Sequence, residues 1–307
     1  MTVNVETPIT AANYNTLQNR VKRLLGLATD QQGYGQELNS SPVSPDTIVY
    51  ASDMNLLLED INRVSIHQTG SVSILNPVGT GNLVKADGDT VDDQDGFNQY
   101  ISVVDQLEDN PLLVDGTQVT LETLASNSRF TPWNGQVTHS FTLTFSDSTH
   151  RKAFFNAGGE IHITAQIEST TNAKGTDWKQ MLNNMGTVYF KANTSQRSPD
   201  SSGGTIFPDG TPFGNFQLTS DLQFLFQRQG QDAAYAENRY NIFAKEVSNS
   251  AIQFTIQFQD QDLGDPNVDE QVDGTLVSIV QMLRPTGSFV SVPAPSYSVQ
   301  ASLELGE

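Results

Sequence analysis

The sequence predicts a mainly β protein with a helical N-terminal region: an antiparallel β-sandwich, jelly-roll-like, preceded by a helical hairpin connector. Three observations lead there. Apolar residues recur at helical spacing in two stretches before residue 70, alternation of apolar with hydroxylic or amide residues takes over after residue 136, and turn-forming residues punctuate both regions. The expected division places a mainly helical connector or docking region at 1–128 and the sandwich at 129–307. A chain of 307 residues is long enough to bury a core in one large or two ordinary domains.

The first helix is read in "TAANYNTLQNRVKRLLG", with Thr10 as N-cap, Gly26 past the end and Tyr14, Leu17, Val21 and Leu24 on one stripe. Arg20, Lys22 and Arg23 suit the negative end of its dipole. A polar loop follows, and Ser52 is expected to cap a second helix carrying Met54, Leu57, Ile61 and Val64 until Gly70 ends it. Two such helices are marginal alone, so their stripes need a surface to pack on. The expected surface is a neighbouring subunit or another protein, which makes Tyr14, Leu17, Val21, Leu24, Met54, Leu57, Ile61 and Val64 the candidate assembly interface. A third helix is expected from Asp95, with Phe97, Ile101, Val104 and Leu107 in register, and "TLETLASNS" reads as a short fourth.

Beyond residue 130 the period is two. "QVTHSFTLTFS" turns Val137, Phe141, Leu143 and Phe145 to one side, "GEIHITAQIE" does the same with Ile161, Ile163, Ala165 and Ile167, and "AIQFTIQFQ" with Ile252, Phe254, Ile256 and Phe258. "GTVYFKAN", "LQFLFQ", "RYNIFAKEV" and "TLVSIVQML" are further strands, with "VSNSA" a hairpin turn. "SDSTHRKAFFNAGG" is a short helix capped by Ser146 or Asp147. "TDWKQMLNNMG" is a second one, capped by Thr176, with Trp178, Met181, Leu182 and Met185 on its apolar face.

Composition excludes several kinds of chemistry. A net charge of −19 repels phosphate backbones and anionic lipid, so nucleic acid and membrane are poor partners. With no cysteine there is no disulfide, thiolate zinc site or cysteine nucleophile. The first fifteen residues lack the marks of a signal peptide, and nowhere do 18 uncharged apolar residues run together.

Three of the four histidines, His139, His150 and His162, fall in "HSFTLTFSDSTHRKAFFNAGGEIHI". Their separations of 11 and 12 are not those of a ligand pair on one strand or helix. Strand parity turns His139 inward, leaves His162 solvated on the outer face and puts His150 on a helix, so all three are expected to be structural. No G-x-S-x-G elbow is present, and the glycine clusters "GTGN" and "SSGGT" match no phosphate loop. The acidic runs "DGDTVDDQDG" and "DQDLGDPNVDEQVDG" offer oxygens for calcium without the EF-hand spacing, and are read as solvated loops. No cofactor, metal or catalytic residue is expected.

The phrases "TPITAANYNTLQNRVKRLLG", "GYGQ", "MNLLLEDINRVSIHQTG", "WNGQVTHSFTLTFSDSTHRKAFFNAGGEIHI" and "DWKQMLNNMGTV" resemble virion structural proteins of large contractile-tailed phages, the T4-like cyanophages especially. The resemblance covers about residues 7–70 and 130–191. It implies a non-enzymatic particle component of the tail, baseplate or neck, with no catalytic residues to carry over. Such a chain is expected to assemble in the host cytoplasm, to contact other virion proteins and to work as a homo-oligomer, trimer or hexamer. An alternative is a carbohydrate-binding or host-receptor-binding sandwich module, with Trp133, Tyr235 and Tyr240 as the glycan-facing aromatics. A glycan hydrolase would need two carboxylates facing each other across a cleft.

Overall fold

Thr10 starts α1 (Ala11–Leu25) with a reciprocal cap: its Oγ1 accepts from the amide of Asn13 at 3.2 Å, and Asn13 Oδ1 accepts from the amide of Thr10 at 3.1 Å. In this computed structural model, residues 1–8, 28–31, 82, 83, 85, 88–94, 199–205, 208–211, 231, 232, 263–270, 306 and 307 lie outside the described part. The chain forms two units. The first holds residues 1–120 together with 152–158 and 284–293, and the second holds 121–151, 159–283 and 294–307. Residues 88–94 and 263–270, more than half of each acidic run, therefore lie outside the described residues.

The first unit is built on α1, α2 (Ala51–Thr69) and α3 (Phe97–Asp109), each in contact with the other two. The cap of α2 is Tyr50 rather than Ser52, with Asp53 Oδ2 accepting the Tyr50 amide at 2.8 Å. At its other end Gly70 takes φ +75°, a left-handed turn that costs glycine nothing. α3 begins at Phe97, two residues after the expected start at Asp95. Its Phe97, Tyr100, Ile101, Val104 and Leu107 are buried along with the stripes of α1 and α2. Each large apolar side chain so covered contributes roughly 1.5–3 kcal/mol relative to exposure.

The second unit contains two sheets. One has the order β1–β10–β3–β4–β5, and the other β11–β2–β9–β8–β7–β6. Their strands are β1 (Val119–Arg129), β2 (Gln136–Thr144), β3 (Glu160–Glu168), β4 (Val188–Phe190), β5 (Ser195–Arg197) and β6 (Ile206–Phe207). The rest are β7 (Gln223–Gln229), β8 (Arg239–Ser248), β9 (Ala251–Gln259), β10 (Thr275–Pro285) and β11 (Ser296–Leu305). β3 pairs antiparallel with β10 and β4, and β2 pairs antiparallel with β11 and β9. The expected parity is what the core uses: Val137, Phe141, Leu143, Ile161, Ile163, Ile256, Phe258 and Val280 are all fully buried. Phe190 of β4 and Phe254 of β9 meet edge to face at 5.2 Å, so side chains of the two sheets interdigitate in a sandwich-like core.

Between β2 and β3 runs α4 (Ser148–Asn156), and between β3 and β4 runs α5 (Ala173–Met185). The cap of α5 is Asn172, four residues before the expected Thr176, and its side chain accepts from the amide of Gly175 at 2.7 Å. Its Trp178, Met181, Leu182 and Met185 are buried as their spacing predicts. Trp178 lies edge-on to Trp133 at 5.1 Å.

One element is of the wrong type in the sequence reading. "TLETLASNS" is not a helix but most of β1, with only Leu124 and Ala125 buried along the strand. Leu121 and Leu124 mimic a helical i, i+3 step; the segment is instead extended because β10 offers it a row of main-chain partners, and that pairing is invisible locally.

Candidate functional site

The eight candidate interface residues are core residues of the first unit. Tyr14, Leu17, Met54, Leu57, Ile61 and Val64 have no accessible surface, and Val21 and Leu24 retain 1% and 6%. The expectation that the stripes of two helices stay open is corrected by α3, whose apolar face closes on both. An interface made of these side chains would require the helices to separate.

What the first unit does present is a set of polar clamps, which hold non-helical segments against the helices. Asp60 of α2 is buried, and its carboxylate accepts from the amides of Asn39 at 3.0 Å and Ser40 at 2.8 Å, from Ser40 Oγ at 2.7 Å and from Arg63 at 2.9 Å. Arg63 also donates to the carbonyl of Glu37 at 2.7 Å. Asn15 donates to the carbonyl of Val43 and accepts from its amide, and Asn55 does the same with Val78. The sequence holds one signal for this: Asp60 stands beside Ile61 on the buried stripe of α2, where a carboxylate survives only with several donors.

The histidines have separate partners. His139 is fully buried, and its Nδ1 lies 2.8 Å from Ser278 Oγ of the facing sheet, as its inward parity predicts. Burial, with Arg129 adding to it, lowers its pKa to about 4. His150 sits on α4, where Asp147 Oδ1 accepts its amide at 2.8 Å and caps the helix. His162 is largely covered rather than solvated, its side chain 12% exposed, which corrects the expectation. It bonds Glu160 Oε2 at 2.9 Å and packs on Tyr189 at 4.5 Å, and Glu160 also holds Lys191 at 2.7 Å. Parity gave its side of the sheet, but neighbours on β3 and β4 cover it. Burial pushes the Glu160 carboxyl up, and His162 and Lys191 together outweigh that, leaving its pKa lowered.

The fourth histidine, His67, was not singled out by sequence. It is buried in the first unit, its Nε2 is 3.1 Å from the carbonyl of Ala157, and burial lowers its pKa to about 4. Lys174 and Asp260 form a fully buried ion pair at 3.0 Å, with Asp262 at 3.5 Å from the same ammonium. Burial raises the pKa of Asp260 against the pull of Lys174. Asp260, Asp262 and Asp273 belong to the second acidic run; Asp273 accepts from Thr170 Oγ1 at 2.6 Å and the Thr171 amide at 2.7 Å, so it ties turns together.

Trp133, Tyr235 and Tyr240 are buried at 1%, 4% and 1% exposure, which removes them as a glycan platform. Open cavities lie elsewhere among the described residues. One of about 440 Å³ lies between the first turn of α1 and Pro45–Thr47, and one of about 350 Å³ lies beside α5, lined by Asn172, Thr176, Asp177 and Tyr235 among others. Among the described residues no group of three or more His, Asp or Glu is placed to hold a metal ion, and no helix is long and apolar enough to cross a membrane. Comparison with protein-family models, curated proteins and solved structures finds no match for this chain.

Proposed function

We propose that the chain is a non-enzymatic structural component of a tailed-phage virion, in the tail, baseplate or neck, assembled in the host cytoplasm. One observation carries the reading: the buried polar groups act on the chain itself. Asp60 holds the amides of Asn39 and Ser40, His139 holds Ser278, and Lys174 holds Asp260. Chemistry of this kind fixes segments in place, as a part that transmits load requires. The resemblance to contractile-tailed phage proteins falls on the stretches that form α1, α2, β2, α4, β3 and α5.

On this reading α1, α2 and their loop are the connector and the sandwich is jelly-roll-like. Pairing of β2 with the last strand β11, and of β3 with β10, supports that description. Other virion proteins and further copies of the chain, as a trimer or hexamer, are its partners, with no cofactor and no role for nucleic acid or membrane. A receptor- or glycan-binding appendage is the second reading. It now requires a surface other than Trp133, Tyr235 and Tyr240.

Antibodies against the purified chain, applied to particles from a lysate of the cells that make it, test the proposal. Labelling at one defined ring or vertex is expected. Purified particles that lack the chain altogether would sink it.

A further inference from the structure

Among the described residues β11 is an edge strand, and its core-side face is only partly covered. Tyr297 lies opposite Leu143 of β2 and Val299 opposite Phe141. Directly opposed residues share a face of the sheet. Leu143 and Phe141 are fully buried, yet Tyr297 is 52% and Val299 38% exposed. The sheet therefore extends beyond the layer that covers its neighbour β2. The far part of β11 is already engaged: Asn127 of β1 donates to the carbonyl of Gln300 at 2.9 Å, and Arg129 pairs with Glu304 at 2.6 Å. What stays open is the stretch Ser296–Val299. An edge with exposed apolar side chains on it is a ready template for another strand.

We infer that a second copy of this chain occupies the edge, with β11 pairing antiparallel to β11 about a twofold axis at Ser298. Charge selects the place at which a second copy can dock. Each copy carries −19, so two copies repel over most of their surface. Residues 296–303, "SYSVQASL", contain no ionisable group except the phenol of Tyr297, and the one adjoining charge, Glu304, is neutralised by Arg129. A neutral, partly apolar strand is where like-charged copies can approach. The register follows from symmetry. An axis at Ser298 sets Tyr297 of each copy opposite Val299 of the other, an aromatic against a β-branched side chain, twice. The inference rests on the multimeric part of the proposed function and names its surface. It fits a hexamer made of three such pairs, not a plain trimeric ring.

The full chain is examined by light scattering across a dilution series, beside Val299→Lys and the single-thiol variant Ser298→Cys, which is unique because the chain has no cysteine. The wild type should show a species of twice the 33.5 kDa chain mass, or a multiple of it, and Val299→Lys should fall to chain mass with an unchanged circular dichroism spectrum. Mild oxidation should couple two Ser298→Cys chains through the introduced thiols, whereas Ser220→Cys, exposed elsewhere, should not couple. The thiol result stands even if Val299→Lys fails to fold. A wild type of chain mass at every concentration overturns the pairing. So does an oligomer that ignores Val299→Lys and leaves Ser298→Cys uncoupled, though that second outcome keeps the multimer and rejects only this edge. Particle labelling is a separate measurement, so failure of the virion reading is distinguishable from failure here.

Discussion

Asn15 holds both main-chain groups of Val43. Its Nδ2 donates to the Val43 carbonyl at 2.8 Å and its Oδ1 accepts from the Val43 amide at 2.9 Å, and Asn55 repeats the arrangement on Val78 at 3.0 and 2.8 Å. A carboxamide has one donor end and one acceptor end, so it can satisfy both main-chain groups of one residue, as a neighbouring strand would. The helices thereby gain the role of a sheet edge for segments that have none.

Removing either side chain should unpin its segment. Asn15→Ala and Asn55→Ala each leave a donor and an acceptor of a valine without their partners, which costs about 1–3 kcal/mol. Urea unfolding should show the loss, and hydrogen exchange should show it concentrated at the Val43 or Val78 amide. A loss spread evenly over the unit would contradict the clamp.

Asp60→Asn is expected to be worse than either. The carboxylate receives two amides, a hydroxyl and Arg63, all donors. An amide group in its place points hydrogens at hydrogens and leaves Arg63 without its buried counter-charge. The expected loss is about 3–5 kcal/mol in chemical denaturation. A variant as stable as the wild type would show that the Asn39–Ser40 turn holds itself.

Stability should fall in mild acid through His67 and His139. Each folded pKa is about 4, against an ordinary value of 6.5. The fold therefore favours the neutral ring. Above about pH 6.5 this stability is complete. As pH falls from 6.5 towards 4 the unfolded chain takes up protons that the folded chain refuses, and below 4 the loss stops growing. The total is about 3 kcal/mol for each ring. His139→Gln should remove one share of this slope between pH 6.5 and 4, and an unaltered slope in that variant would show the ring titrates normally in the fold.

The Lys174–Asp260 pair predicts non-additivity. Lys174→Met leaves a buried carboxylate without its partner and should cost about 3–5 kcal/mol, whereas Lys174→Met with Asp260→Leu should return to within ~1 kcal/mol of wild type. Thermal melts of the two singles and the double complete the cycle. A double variant as weak as the sum of the singles would assign the energy to packing rather than to the pair.

The sequence by itself determined whatever depends on local period. The stripes of α1, α2 and α5, and the inward faces of β2, β3 and β9, are consequences of 3.6- and 2-residue repeats that any short window displays. It also determined that His139 faces inward. What only the tertiary structure decided is which surface meets each of those faces. The stripes of α1 and α2 are closed by α3 rather than by another protein, and 120–128 is extended because β10 lies beside it. His139 finds its hydroxyl 139 residues away on Ser278, and Asn15 finds its valine 28 residues on. Periodicity fixes the direction in which a side chain leaves the backbone, whereas its partner is chosen by how distant segments pack, and no local pattern encodes that.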